Sequence, residues 1–171
     1  DKVENWRRLY PNWIDPEGKV LAAKPGDSNI SDYNKLPAGL IVVRQTFPGL
    51  AERCTAFLDE IPWEEFFEPG SDKIRYAFDV AQKKTLNPVY FYRGEDKILG
   101  QFLMIASGKV PPSTWDKQDL SEEEMYGVKY FKWGWQGGGL FMQFICDLFM
   151  DNRGTSLGLS SANFAWAQMV H

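Results

Sequence analysis

Apolar residues recur at helical spacing in the C-terminal part of the chain. Between residues 140 and 149, apolar pairs return every four residues, which predicts a helix. Gly154 follows as a helix stop, because glycine readily adopts the left-handed conformation. The alternation at residues 157–159 then predicts a strand, and Ser161 or Asn163 can cap a final helix. We therefore expect a helix, a strand and a helix in this order.

The apolar segments further upstream predict a strand followed by helices. Residues 40–47 form a β-rich apolar run, which predicts a strand. Pro48 precedes helical spacing over residues 50–58, and residues 63–67 predict a second, short helix. Apolar residues alternate between positions 74 and 83, where the pattern fits either a strand or a helix, and we favour a helix.

A hairpin and a further strand are expected in the middle of the chain. Residues 89–92 and 98–105 are β-rich runs on either side of a polar turn that contains glycine, which predicts a β-hairpin. A long polar stretch follows over residues 107–127, and stretches of this length are usually functional or mobile. Residues 128–133 then resume as a strand.

Length and composition indicate one domain with an N-terminal extension. The chain has 171 residues, of which 44% are hydrophobic, so it can bury a substantial core. Residues 1–39 contain scattered prolines and glycines and are expected to form an extended arm. Residues 40–171 are expected to form the domain itself.

Charge and hydropathy argue against two kinds of partner. The net charge is −4 and the basic residues are scattered, whereas nucleic-acid phosphates need clustered Lys and Arg. No apolar run reaches the roughly 18 residues that a membrane span needs. The N-terminal residues are polar, unlike a signal peptide. We expect a cytoplasmic protein that binds neither nucleic acid nor membrane.

The cysteine and histidine content narrows the chemistry. Cys54 and Cys146 each lie in an apolar periodic segment, where a small buried residue fits, so we expect buried free thiols rather than a disulfide. The only histidine is His171, the last residue. Histidine-based catalysis and a metal site are therefore not expected.

A glycine run is the feature most indicative of a ligand. Residues 133–139 read Trp-Gly-Trp-Gln-Gly-Gly-Gly and lie between a predicted strand and a predicted helix. The first N–H groups of a helix have no intrahelical partner, and glycine lets the backbone approach a pyrophosphate closely. The same run also fits a ligand-free hairpin between aromatic strands. Phe131, Trp133 and Trp135 alternate on one strand face, which is typical of a core and otherwise of a partner-binding patch.

The elements around the glycine run follow a recognisable order. Downstream, a helix closed by Gly154 precedes the Leu-Gly-Leu alternation of residues 157–159, and Asn163 opens the next helix. Upstream, residues 42–48 have the features of an opening strand, and residues 97–102 have those of a third strand that contains a glycine. The joint spacing of these segments is more informative than any one of them.

This order resembles the GCN5-related N-acetyltransferase (GNAT) family over residues 40–171. The acyl-CoA loop of that family reads Gln/Arg-x-x-Gly-x-Gly/Ala; Gly137 and Gly139 match it, whereas Gly134 stands where Gln or Arg is usual. The resemblance implies an α/β (α+β) fold of one domain, with a mixed, mostly antiparallel sheet flanked by helices. It also implies N-acyltransferase activity with acetyl-CoA as the co-substrate.

The resemblance places acetyl-CoA on the loop and on the strand before it. Backbone N–H groups of residues 136–140 would cradle the pyrophosphate, and residues 130–133 would hold the pantetheine through main-chain bonds. The residues that the resemblance assigns to the cofactor are Lys132, Trp133, Gln136, Gly137, Gly138, Gly139, Leu140 and Asn163.

The implied reaction is direct transfer of the acyl group to an amine of a small molecule or a peptide. The amine attacks the thioester carbonyl, and a backbone N–H of the strand holds the developing oxyanion. Val170 stands where the family often has a tyrosine that protonates the leaving thiolate, so Tyr126, Tyr130 and Ser160 are the candidate proton donors. The last two strands of the family have no counterpart. The acceptor side is therefore incomplete, degenerate or rebuilt by the N-terminal arm, or a homodimer or a protein partner completes that side of the sheet.

Two other functions fit the same composition. Aromatic content, acidic charge and the lack of an evident nucleophile are compatible with a non-enzymatic interaction protein that neutralises a partner through an aromatic patch. An aromatic-rich sugar-binding module is a third reading, which the predicted interior helices disfavour. Binding of CoA would distinguish the acyltransferase from both.

Overall fold

The chain combines helices with small antiparallel sheets. The computed structural model describes residues 3–21, 27–86, 97–117, 122–131 and 140–170. The chain forms two compact units, of which the first is Asp1–Phe91 with Gly100–Lys117 and the second is Tyr92–Leu99 with Gln118–His171. The expected mixture of helix and antiparallel sheet is confirmed, but the described strands form three separate small sheets rather than one. No helix in the described ranges is long and apolar enough to cross a bilayer.

The first unit contains short strands that pair antiparallel. They are β1 (Asp27–Asn29), β2 (Phe67–Glu68), β3 (Lys73–Ile74), β4 (Ala77–Asp79) and β5 (Lys84–Thr85). One sheet has the order β1-β4-β5, and β2 and β3 form a separate pair. The buried Asp79 in β4 accepts a hydrogen bond of 2.8 Å from the Gln82 N–H, which compensates the burial of its carboxylate.

Helices surround these strands in the sequence. They are α1 (Ile30–Tyr33), α2 (Lys35–Thr46), α3 (Ala51–Glu60) and α4 (Lys97–Ala106), with 3₁₀ turns at Pro48–Leu50, Trp63–Phe66 and Pro112–Asp116. The Asn29 side chain caps α1 by accepting a hydrogen bond of 2.9 Å from the Asp32 N–H. The helices predicted at residues 50–58 and 63–67 are confirmed by α3 and by the turn that follows it.

Aromatic side chains form much of the core of the first unit. The buried rings of Phe66 and Phe78 lie with centroids 6.1 Å apart, and Trp6 stacks on Phe78 at 4.7 Å. The hydroxyl of Tyr33 donates a hydrogen bond of 2.7 Å to the carbonyl of Arg8. Burial raises the pKa of the Tyr33 phenol well above its ordinary value, because the core disfavours a phenolate.

Four of the predicted elements are wrong in type. Residues 40–47 lie mostly in helix α2, residues 98–105 lie in helix α4, and residues 157–159 lie in the C-terminal helix described below. Residues 74–83, for which we favoured a helix, contain the strands β3 and β4 instead. The first half of the predicted hairpin, residues 89–92, lies outside the described residues.

The burial pattern of α4 shows why the apolar run at residues 98–105 is helical. In α4, Gln101 and Met104 are fully buried, whereas Phe102 and Ala106, four residues apart, are exposed. This spacing of exposed residues fits a helix. In the sequence, however, an uninterrupted apolar run is typical of both a buried helix and a buried strand. Within the expected N-terminal arm, residues 27–39 contain β1, α1 and the start of α2.

The second unit is built from a hairpin and two helical segments. Strands β6 (Glu122–Met125) and β7 (Val128–Phe131) pair antiparallel, and helices α5 (Leu140–Phe144) and α6 (Ser156–Val170) follow. A 3₁₀ turn, Ile145–Leu148, continues directly from α5. The strand predicted at residues 128–133 is confirmed as far as Phe131, and the helix predicted from residue 140 is confirmed. The final helix begins at Ser156 instead of at Ser161 or Asn163.

Glycine 100 provides a test of the packing in the first unit. A Cβ at Gly100 would overlap Cγ2 of Ile30 and lie 3.5 Å from Cβ of Asn34, so Gly100→Ala should lower the free energy of unfolding by about 1–3 kcal/mol. Gly39 is the matched control, because it also lies in a helix but has no atom within 4 Å of an added Cβ. Gly39→Ala should raise stability by up to about 1 kcal/mol.

Urea unfolding followed by circular dichroism measures both variants. Equal effects of the two substitutions would contradict the close approach of α4 to α1.

Candidate functional site

The core of the second unit is formed where α6 packs on β7. Tyr130 of β7 and Phe164 of α6 are both buried, and their rings meet edge to face with centroids 5.3 Å apart. Met125 and Phe131 pack against this pair and are themselves partly buried. The aromatic contact therefore joins the hairpin to the C-terminal helix.

Two side chains of α6 bind the backbone of β7. The Phe131 N–H donates a hydrogen bond of 2.7 Å to Oγ of Ser160. The Asn163 side-chain amide donates one of 2.6 Å to the carbonyl of Lys129. Ser160 and Asn163 are one helical turn apart, and Lys129 and Phe131 are alternate residues of the strand, so the two spacings match.

These bonds cover the free edge of the hairpin. Tyr126 and Gly127 both have positive φ, 52° and 77°, as a two-residue type I′ turn requires. In such a hairpin Met125 and Val128 form a hydrogen-bonded pair. Because hydrogen-bonded and non-hydrogen-bonded pairs alternate along an antiparallel ladder, the backbone N–H and C=O groups of Lys129 and Phe131 point away from β6. Helix α6 therefore satisfies backbone groups that an unpaired edge strand would leave open.

The structure brings three of the predicted site residues together. Tyr130, Ser160 and Asn163 all lie at the contact between β7 and α6, where the Ser160 hydroxyl is buried and accepts the Phe131 N–H. The Tyr130 hydroxyl lies 3.4 Å from Oε2 of Glu123, to which it donates a hydrogen bond. Tyr126, the third candidate proton donor, is half exposed at the turn of the hairpin.

The glycine run itself lies outside the described residues, as do Lys132, Trp133, Gln136, Gly137, Gly138 and Gly139. The flanking residues are described: β7 ends at Phe131 and α5 begins at Leu140. The predicted strand and helix are therefore present on either side of the run. Helix α5 has only five residues before it tightens into a 3₁₀ turn, so the dipole at its N-terminus is small.

Helix α6 has its apolar stripe on the outside. Leu159, Ala162, Trp166 and Met169 are all exposed, and their spacing of three, four and three residues places them on one side of the helix. The buried side carries the apolar residues Leu157, Phe164 and Ala167 together with the polar residues Ser160 and Ser161. Helix α6 is therefore apolar on both sides, whereas an ordinary surface helix exposes a polar side to solvent. We call the four exposed residues the α6 stripe.

The α6 stripe is continuous with an open groove of about 1110 Å³. Leu159 and Ala162 line it from α6, and Phe144, Leu148 and Phe149 line it from the preceding helical segment. Leu148 is 73% exposed and Phe141, nearby in α5, is 69% exposed. Large apolar side chains thus remain open to solvent over much of this side of the second unit.

The charges around the groove are few. Arg153 forms an ion pair of 2.7 Å with Asp151 and holds the pKa of that carboxyl below its usual range through their hydrogen bonds. Asp147 is exposed and accepts a hydrogen bond of 2.7 Å from the Asn152 side chain. Helix α6 contains no Asp, Glu, Lys, Arg or His. The stripe is consequently neutral, and the carboxylate of Asp147 lies in the lining of the groove.

The α6 stripe was not predicted from the sequence. Its signal was present in the spacing of Leu159, Ala162, Trp166 and Met169 and in the absence of charge from residues 156–170. Assigning residues 157–159 to a strand concealed that spacing. Cys54 and Cys146 are buried free thiols, as predicted.

Ser160 is the residue on which the α6–β7 contact can be tested. Ser160→Ala removes the acceptor of the Phe131 N–H, and a buried donor left without a partner costs about 1–3 kcal/mol. Gln168→Ala is the control, because Gln168 is an exposed polar residue of the same helix. Thermal and urea unfolding of both variants measure the difference. The contact between α6 and the edge of β7 would be contradicted if Ser160→Ala lowered the free energy of unfolding no more than Gln168→Ala does.

Comparison with known proteins provides no relative from which a function could be transferred. No protein-family model matches the chain, and no curated protein matches it significantly. The described parts of the chain also contain no group of three or more His, Cys, Asp or Glu side chains that could bind a metal. The exposed apolar surface formed by the α6 stripe and the groove is the candidate functional site.

Proposed function

We propose that this chain is a non-enzymatic interaction protein that binds an apolar helix along the α6 stripe. The observation that carries the proposal is the outward orientation of that stripe, which includes Leu159, Trp166 and Met169. Soluble proteins seldom expose contiguous apolar surface of this kind unless it meets a partner.

The spacing of the stripe favours a helical partner. Side chains separated by three, four and three residues form the seam that packs against another helix, where each side chain enters a gap between residues of the facing helix. A flat or extended partner would leave the gaps between Leu159, Ala162 and Trp166 unfilled. The groove beside Leu159 provides additional apolar surface for the end of such a helix.

The residue types on the stripe are those that contribute most to binding. Burying a Leu or Met side chain that was exposed stabilises a complex by about 1.5–3 kcal/mol, and Trp is enriched among the residues that dominate interfaces. Met169 is 74% exposed and Leu159 is 64% exposed, so most of this gain is available on binding. Several such anchors are needed, because association itself costs about 4–15 kcal/mol of translational and rotational freedom.

A selection from phage-displayed helical peptides with randomised surface positions tests this proposal. We expect enrichment of peptides with apolar residues at spacings of three and four. Leu159→Glu should weaken their binding at least about 10-fold, since it places a charge in an apolar contact. Gln168→Glu adds the same charge on the other side of α6 and should leave binding unchanged.

Two results would reject the proposal. One is the absence of any enriched peptide with this spacing. The other is equal binding of enriched peptides to wild type and to Leu159→Glu, with circular dichroism showing that both proteins are folded. In the second case the peptides bind elsewhere on the chain.

An acetyl-CoA-dependent N-acyltransferase is the second candidate. It is favoured by the position of Gly134–Gly139 between the end of β7 and the start of α5, the order in which a phosphate-binding loop is found. The hydrogen bond between Tyr130 and Glu123 would supply a proton donor with an adjacent carboxylate. Pantetheine would have to bind main-chain groups other than the Phe131 N–H, which Ser160 occupies.

Thermal unfolding with about 1 mM acetyl-CoA tests this candidate, because a ligand that binds only the folded state raises the midpoint. An acyltransferase predicts a rise with acetyl-CoA and with desulfo-CoA that ATP does not reproduce, and its loss in Gly138→Asp, where a carboxylate would repel the phosphates. No shift with acetyl-CoA would remove the candidate, and an equal shift with ATP would indicate general phosphate binding instead.

A further inference from the structure

We propose that the helix that binds the α6 stripe is α6 of a second copy of this chain, in an antiparallel pair about a two-fold axis. The inference rests on the proposed function, because it names the partner of the same surface. It follows from the order of large and small residues along the stripe, from the absence of charge in α6, and from the groove at one end of the stripe.

The stripe of one copy is complementary to the stripe of a second copy that runs in the opposite direction. If two α6 helices cross antiparallel with residue 164 at the centre, Leu159 of each copy lies opposite Met169 of the other. Ala162 of each copy then lies opposite Trp166 of the other. A two-fold axis requires this property, because every contact must occur twice with the two residues exchanged.

Side-chain sizes fit this register. Ala162 is the small residue of the stripe and Trp166 is the largest. When Ala162 of one copy faces Trp166 of the other, the short alanine side chain leaves space for the indole. Facing residues of packed helices interdigitate in this way, with a large side chain opposite a small one. A parallel pair would instead set Trp166 against Trp166 at the same level, where two indoles compete for one space.

Electrostatics permits the pairing. Residues Ser156–Val170 carry no charged side chain, so the two-fold axis brings no like charges together. An antiparallel arrangement also places the positive end of each helix dipole beside the negative end of the other. A partner recognised by charge would need ionic residues along the stripe, and α6 has none.

The groove gives the second copy a place for the end of its helix. Leu159 lies on the groove wall together with Phe144 and Leu148. In the proposed register, Met169 of the second copy faces Leu159 and therefore reaches this apolar opening. The flexible methionine side chain suits a groove of irregular shape. The stripe and the groove thus form one surface for the same helix.

Sedimentation equilibrium of the full chain tests the inference. We expect a dimer with a dissociation constant in the micromolar range or tighter. Trp166→Ala should weaken dimerisation at least about 10-fold, because it removes the largest side chain of the contact. Ala162→Trp alone should weaken it also, because two indoles would then face each other. Gln168→Glu lies off the stripe and should have no effect.

The double variant Ala162→Trp with Trp166→Ala makes the test specific to this register. It exchanges the large and small positions, so each indole again faces an alanine, and dimerisation should return to within about threefold of wild type. A dimer at another surface, or α6 helices in another register, would not predict this recovery. The three substituted positions, 162, 166 and 168, are exposed, and circular dichroism checks that each variant is folded.

The outcomes separate the inference from the proposed function. A wild-type chain that remains monomeric up to about 100 µM, but still binds helical peptides in a manner sensitive to Leu159→Glu, overturns the second copy as partner and leaves the proposed function intact. A dimer that is unaffected by Trp166→Ala, or that is not recovered in the double variant, also overturns the inference. A monomer that binds no helical peptide overturns both.

Discussion

The attachment of α6 to the edge of β7 is the contact on which the second unit depends. A two-stranded hairpin is marginal alone and leaves backbone groups open along its outer edge. Ser160 and Asn163 satisfy the Phe131 N–H and the Lys129 carbonyl, and Phe164 packs on Tyr130 between them. One helix face therefore provides both the hydrogen bonds and the apolar contact that hold the hairpin.

This attachment fixes which side of α6 faces solvent. The side chains that can bond to a strand edge are polar, so the helix must turn its serine-containing side inward. Leu159, Trp166 and Met169 are then left on the outside. The exposed stripe is thus a direct consequence of how the hairpin edge is covered, and a partner helix would bury the apolar surface that this solution leaves open.

The elements that were predicted correctly had local signals, and those that were not had ambiguous ones. Helix α3 was predicted because Pro48 opens a segment with clear helical spacing, and β7 was predicted where strand-like residues resume at position 128. The apolar runs at residues 40–47 and 98–105 fit a strand and a helix equally well in sequence, and both are helical in the structure. In the site, Ser160 was predicted as a proton donor, and the hydrogen bond that its hydroxyl accepts from the Phe131 N–H was not predicted, because it joins residues far apart in the sequence.

The sequence alone determined the buried free thiols, the glycine run between a strand and a helix, and the absence of charge from residues 156–170, because each depends only on residue type or near spacing. Only the tertiary structure decided that α6 is one continuous helix and that its stripe faces outward. The orientation depends on hydrogen bonds between residues about thirty positions apart. Local periodicity describes the two sides of a helix, but it does not specify which side meets the rest of the protein.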